Sequence, residues 1–293
     1  MDTISQVMQY LITGLTTGSI YALIAVGYVT IYNVTGVINF AQGEFTMLGA
    51  LLCVSFVQSG VPLVFSIILA IVLTACFGFF MERTTVYPVR NANFVTLIII
   101  TIGVSIVLRG AGLLIWGNTP LSLPPFSDSS PVMILGAVLI PQSIWVFATL
   151  VLLLGMLYLF FEKTVLGTAL KACVINPKAA QLMGINTRSM SAFAFTASAA
   201  VGAVAGIVVT PITGAIYDMG LLLGLKGFMA MVIGGMNNIS GAVFAGFLIG
   251  VIEAFSGGYI STSYSDAISF AFLLLVLFIS PNGMMSKATG KRV

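Results

Sequence analysis

Four charged side chains fall inside otherwise apolar sequence: Glu44, Arg109, Lys226 and Glu253. A charge at membrane depth is costly unless it is solvated or paired, so each marks either a structural ion pair or a solute path. Other chemistry is excluded by what the chain lacks. There is no histidine, and the three cysteines, Cys53, Cys76 and Cys173, stand apart from one another. No imidazole base, Ser/His/Asp set, Cys/His metal cluster or disulfide framework can be built on those terms. The run Gly220–Gly227, GLLLGLKG, lacks the Gly-Lys-Ser/Thr ending of a phosphate loop and lies in apolar sequence. Lys226 is therefore not a phosphate ligand. Catalysis by carboxylates needs two within reach, and nothing brings Glu44 to Glu253. No catalytic residue, metal ligand or cofactor is assigned, and no enzymatic step is expected in this chain.

The elements that must hold these charges are membrane helices. The 293 residues are 59% hydrophobic and 6% charged, against about 25% charged in an average soluble domain. Apolar runs near 20 residues predict an all-α, polytopic membrane protein. Residues 1–293 form one transmembrane domain of about eight spans, give or take one. The expected spans are 9–33, a second ending near 57, 62–81, 94–116, 143–161, 190–210, and passes within 224–255 and 264–280. Gly14/Gly18 and Gly202/Gly206 are small-residue pairs that predict close helix packing.

Two apolar runs are interrupted. In 34–50 the polar residues are Asn39, Gln42, Gly43 and Glu44. They fit either an ordinary interfacial helix start or a broken segment lining a path. In 224–255 the break is near Gly234, Gly235, Asn237 and Gly241. One interrupted segment in each half of the chain points to a transport path. Arg109 is open to three readings: snorkelling outward, structural pairing, or a place on that path.

Nine of the 11 basic residues lie in three segments: Arg83 and Arg90; Lys163, Lys171, Lys178 and Arg188; Lys287, Lys291 and Arg292. The positive-inside rule puts all three in the cytoplasm and leaves 117–142, 211–223 and the N-terminus outside. The tail is then inside only if an odd number of crossings follows residue 211. Two passes joined at 235–241 would satisfy this, yet 224–234 is too short to cross about 30 Å alone. No cleavable signal peptide is expected. The net charge of +3 is too small to suggest nucleic acid as a partner. The loop 162–189 reads as folded: Asn176 caps a helix that Pro177 opens, 178–183 continues it, and Gly184 closes it in a left-handed conformation.

The run Gly36-Val37-Ile38-Asn39-Phe40-Ala41-Gln42-Gly43-Glu44, then Leu48-Gly49-Ala50, resembles the signature of branched-chain amino acid permeases of ATP-binding-cassette importers. Thr164 to Ala172, Ala179-Ala180 and Gly184-Ile185-Asn186 are similar to their cytoplasmic coupling loop. Gly224-Leu225-Lys226-Gly227-Phe228, Gly234-Gly235, Gly241-Ala242 and Ser280-Pro281-Asn282-Gly283-Met284 match in order, with the LivH-type inner-membrane subunit nearest in pattern. The resemblance implies a second related permease, two cytoplasmic ATPases, and a periplasmic or extracellular binding protein, all around a lipid-embedded subunit in the bacterial cytoplasmic membrane. The cargo it implies is Leu, Ile and Val, related amino acids, or urea and short amides. ATPase coupling would fall on Leu166, Gly167, Lys171, Asn176, Pro177, Lys178, Met183 and Gly184. The rival from another class is a stand-alone secondary transporter of small polar solutes, relying on ion sites of its own.

Overall fold

The computed structural model describes residues 3–89, 92–127, 130–134 and 136–285. Arg90, Asp128, Lys287, Lys291 and Arg292 lie outside the described residues. The helices are α1 (Thr3–Thr35), α2 (Gln42–Gln58), α3 (Leu63–Met81), α4 (Phe94–Trp116), α5 (Pro141–Lys163), α6 (Val165–Ile175), α7 (Pro177–Leu182), α8 (Thr187–Thr213), α9 (Met219–Gly234), α10 (Ile239–Tyr259) and α11 (Ser265–Ile279). A π-helical turn, Glu82–Val86, extends α3. A short antiparallel hairpin, β1 (Val132–Ile134) and β2 (Ala137–Leu139), sits in the α4–α5 connection.

Seven segments among the described residues are long and apolar enough to cross a bilayer: Thr3–Thr35, Leu63–Val89, Phe94–Trp116, Pro141–Lys163, Thr187–Thr213, Ile239–Tyr259 and Thr262–Ile279. Two helices are shorter. α2 has 17 residues and α9 has 16, about 25 and 24 Å at 1.5 Å per residue. Both are enclosed by their neighbours, and α2 is buried along most of its length. A helix wrapped in protein need not match the hydrocarbon thickness, so its length is free of the rule that sets the others. With these two, nine helices among the described residues build the bundle, at the upper edge of the expected range.

One boundary differs from the sequence expectation. Residues 211–223 are not all loop: α8 runs through Pro211 to Thr213, and α9 begins at Met219. Pro211 removes one backbone donor, but only two helical residues follow it, so little of the helix is lost. The earlier start of α9 adds five residues to the piece that looked too short. A turn with Gly235 at φ +104 joins it to α10.

Backbone contact at small residues organises the interior. α1 and α10 run antiparallel with interleaved glycines. A Cβ on Gly14 would lie 2.7 Å from Val251 Cα, on Gly18 2.7 Å from Phe247 Cα, and on Gly250 2.3 Å from Gly18 N. α8 meets α2 in the same way, where a Cβ on Gly206 would sit 1.9 Å from the Thr46 carbonyl oxygen. Both glycine pairs singled out in the sequence therefore pack helices within this chain. α3, α4 and α5 lie at the edge and expose Phe80, Val107, Leu114 and Leu152. Such a face suits acyl chains or a neighbouring subunit.

Candidate functional site

The chain between α1 and α2 turns back into the bundle. Gly36, at φ +67, ends α1, and the next five residues lead to Gln42. Asn39, Gln42 and Glu44 are buried within the bundle. Asn39 Oδ1 accepts from the Ala41 N–H at 3.1 Å. Gln42 Nε2 donates to the Ser198 carbonyl at 3.1 Å, and Ser198 Oγ lies 2.7 Å from Gln42 Oε1 and 2.6 Å from the Gly27 carbonyl. This polar knot ties the broken segment to α1 and α8.

Glu44 faces the other way, toward α4 and α9. Ser105 Oγ donates to its Oε1 at 2.8 Å, and Arg109 Nε lies 3.4 Å from the same oxygen. A Cβ on Gly220, in the first turn of α9, would come within 2.6 Å of Glu44 Oε2. Gly43 is equally tight, because its Cβ would meet the Gly220 carbonyl at 2.0 Å and Gly224 Cα at 2.8 Å. The first turns of the two short helices thus touch through glycines, with a carboxylate between them. A carboxylate is favoured at a helix N-terminus by the helix dipole. Arg109 is ion-paired, which the sequence left as one of three alternatives.

The second break lies elsewhere. Asn238 Oδ1 caps α10 by accepting from the Gly241 N–H at 3.2 Å, and its Nδ2 donates to the Met285 carbonyl at 2.8 Å. Asn33 Nδ2 donates to the Asn237 carbonyl at 3.4 Å, and the Met284 N–H reaches the Ile233 carbonyl at 2.7 Å. Gly234, Gly235, Asn237 and Gly241 are therefore not brought to Glu44. It is Gly220 and Gly224, at the opposite end of α9, that meet Gly43. Asn237 and Asn238 instead help line a cavity of about 860 Å³ shared with Asn33, Glu162 and Lys171.

The remaining intramembrane charges form a separate cluster. Lys226 Nζ donates to Glu253 Oε2 at 2.8 Å and to Asp266 Oδ1 at 2.6 Å. The Tyr21 hydroxyl donates to Glu253 Oε2 at 2.8 Å. Glu44 and Glu253 thus have different partners, while Glu253 and Asp266 meet at Lys226 Nζ. Tyr21, Ser105, Ser198 and Asp266 were not singled out in the sequence, and Gly220 and Gly224 were noted there only in the rejected phosphate loop and the glycine signature. Only Ser105, four residues before Arg109 on one helical face, carried a readable signal.

The loop between α5 and α8 is built as two capped helices. Thr164 Oγ1 accepts from the Gly167 N–H at 2.9 Å and starts α6. A Cβ on Gly167 would lie 2.3 Å from the Phe160 carbonyl oxygen, so this glycine lets α6 fold back on α5. Lys171 Nζ binds Glu162 Oε1 at 2.5 Å across that fold. Asn176 Oδ1 accepts from the Ala179 N–H at 3.0 Å, Pro177 opens α7, and Gly184 at φ +83 closes it. The Ile185 N–H bonds back to the Ala180 carbonyl at 3.0 Å, completing a left-handed helix stop. Leu166, Lys178, Leu182 and Met183 are exposed on this scaffold. Cys173 is buried beneath it, and burial raises its thiol pKa.

Similar proteins share this chain's length as well as its pattern. Residues 10–277 match the family described as branched-chain amino acid transport system / permease component. The chain is 35% identical to the high-affinity branched-chain amino acid transport system permease protein LivH of Escherichia coli (strain K12), with 98% of this chain and 97% of that one covered. It is also 35% identical to permease protein BraD of Pseudomonas aeruginosa, over 100% of both chains. The ribose import permease protein RbsC of Haemophilus influenzae is 24% identical, over 92% of this chain and 84% of its own. Among solved structures, PsaBC from Streptococcus pneumoniae in complex with Fab superposes with a TM-score of 0.53 at 14% identity, covering 93% of this chain and 92% of that one. At that identity the likeness is one of fold.

Proposed function

This chain belongs to the family of branched-chain amino acid transport permease components, and from that premise we propose how it moves its cargo. It is the membrane-spanning permease subunit of an ATP-binding-cassette importer, a multi-pass inner-membrane protein and not an enzyme. ATP hydrolysis belongs to separate subunits, and a binding protein delivers substrate. In the proposed assembly a second homologous permease pairs with this chain, two ATPases dock beneath it, and the binding protein docks outside. The cargo is leucine, isoleucine or valine, as the names of LivH and BraD suggest. The N-terminus faces outward, while 162–189 and the C-terminus face the cytoplasm, a reading supported by nine of the 11 basic residues falling in three segments that the positive-inside rule assigns to one side.

The observation that carries the coupling role is the exposure of Leu166, Leu182 and Met183 on a loop that is capped and folded against α5. A loop that only joined two spans would need neither caps nor apolar side chains facing out. Motion of a docked ATPase would pass through α6 and α7 into α5 and α8. The path itself is proposed to run by the α2–α9 junction at Asn39, Gln42, Gly43 and Glu44, with the Gly234–Gly241 turn acting at its cytoplasmic end. Reversing charge at Lys171 and Lys178 together should leave ATP hydrolysis but abolish uptake. Normal uptake with normal substrate-stimulated hydrolysis in that double variant would sink the assignment of this loop.

A further inference from the structure

Two charged side chains are incompletely satisfied where α2, α4 and α9 meet. Among the described residues, seven buried side-chain atoms have no hydrogen-bond partner, and two of them face each other here: Glu44 Oε2 and Arg109 Nε belong to the same ion pair. Buried polar groups ordinarily find partners, so this pair marks a place where something else supplies them. Glu44 and Arg109 meet through one contact of 3.4 Å, not through the two parallel bonds that a guanidinium and a carboxylate can form. Their pairing is loose and leaves one function of each kind open: a carboxylate oxygen needing a donor, and a guanidinium N–H needing an acceptor.

The position of Arg109 adds an independent observation. It lies seven residues before Trp116 at the end of α4, about 10 Å along the axis. Its side chain is 24% exposed, on a helix whose other exposed residues are apolar. An arginine in hydrocarbon costs roughly 2.5–3.5 kcal/mol. That flank therefore faces water or protein and not acyl chains.

We propose that Glu44 and Arg109 form a zwitterion-reading site on the path. The ammonium group of an amino acid takes Glu44 Oε2, and its carboxylate takes Arg109. The resident ion pair is exchanged for two ion pairs with the cargo, so no charge is left alone at depth while the cargo passes. Gly43 and Gly220 hold α2 against α9 beside the site and close it when it is empty. The site rests on the reading that the cargo is a branched-chain amino acid.

The test uses the reconstituted importer, with its second permease, ATPases and binding protein, and radiolabelled L-leucine. Glu44→Gln, Arg109→Gln and the double variant are compared. A reading site loses uptake at least tenfold in all three, while co-purification with the ATPases and leucine affinity of the binding protein stay unchanged. A pair that only props the fold recovers in the double variant, since neither charge is then left unpaired. Recovery to within twofold of the unaltered complex overturns the site. A second measurement avoids variants altogether. A diazirine analogue of leucine that keeps both charged ends is photolysed during turnover of the unaltered complex. Adducts on α2 or α4 near Glu44 and Arg109 support the site, and labelling confined to other helices, or none, overturns it. If the unaltered complex imports none of leucine, isoleucine and valine, the cargo reading falls and the site falls with it. Import with full recovery in the double variant removes the site alone.

Discussion

Lys226 shows how a cation persists in apolar sequence. It is 3% exposed and bonded to carboxylates on two other helices. The sequence exposed Lys226 and Glu253 as costly charges but not their pairing, nor Asp266 and Tyr21. Those contacts join residues 27, 40 and 232 positions apart, and no local period reports on such separations. Removing one partner of a buried pair costs about 3–5 kcal/mol. Asp266 is half exposed and Glu253 partly so, which places Lys226→Met near the low end. Its unfolding temperature in detergent should fall clearly, and Lys226→Met with Glu253→Gln should regain part of the loss. An unchanged melt for Lys226→Met would show that the cluster does not hold α9, α10 and α11 together. Glycines give a matched contrast. Gly206→Ala forces a Cβ to within 1.9 Å of the Thr46 carbonyl, whereas Gly155 on α5 has nothing within 4 Å. Overpacking of this kind costs about 1–3 kcal/mol or more, while alanine at an open helical site gains about 0.5–1 kcal/mol. The two variants should therefore shift the melt in opposite directions.

At the scale of elements, the sequence was most readable where local chemistry decides. The Asn176 cap, the Pro177 start and the Gly184 stop of α7 all stand where their residue types place them. The long spans were readable because water and lipid impose a length. α9 was not readable at its start, because residues 219–223, MGLLL, follow the turn-like stretch 211–218 with no capping side chain to mark the boundary, and Gly220 reads as part of that turn. The α2–α9 junction was hidden for the same reason: a glycine chosen for close approach looks like a glycine chosen for flexibility. The role of α7 can be tested through its ends. Asn176→Ala removes a cap worth about 1 kcal/mol. Gly184→Val puts a branched side chain at φ +83, where a non-glycine residue costs about 1–2 kcal/mol. Both should speed amide exchange across α7 in the assembled importer and lower leucine uptake more than basal ATP hydrolysis. Unchanged exchange with lowered uptake would move the effect away from helix stability and onto the docking contact.

Over the whole molecule, the count of crossings links fold to orientation. If α9 were part of a loop, the stretch from Pro211 to the tail would cross twice, and the basic residues before and after it would lie on opposite sides. With α9 as a full pass, α9, α10 and α11 make three crossings, and 162–189 shares a side with the C-terminus. The turn between α9 and α10 decides the matter, because it is cytoplasmic in the second arrangement and enclosed at mid-membrane in the first. Ser240 lies beside that turn and is exposed, as are Ser59 between α2 and α3, Gln181 on α7, and Ser263 before α11. Single cysteines at these four positions, probed with a membrane-impermeant maleimide, separate the two arrangements. Ser59→Cys and Ser263→Cys should label in intact cells. Gln181→Cys and Ser240→Cys should label only in inverted vesicles. The native background is favourable: Cys53 and Cys173 are buried, and Cys76 faces outward from the apolar α3. The raised thiol pKa of Cys173 further slows its reaction near neutral pH. Labelling of Ser240→Cys from outside, or protection on both sides, would break the odd count. The outward N-terminus, the cytoplasmic coupling loop and the docking of ATPases on α6 and α7 could not then all hold.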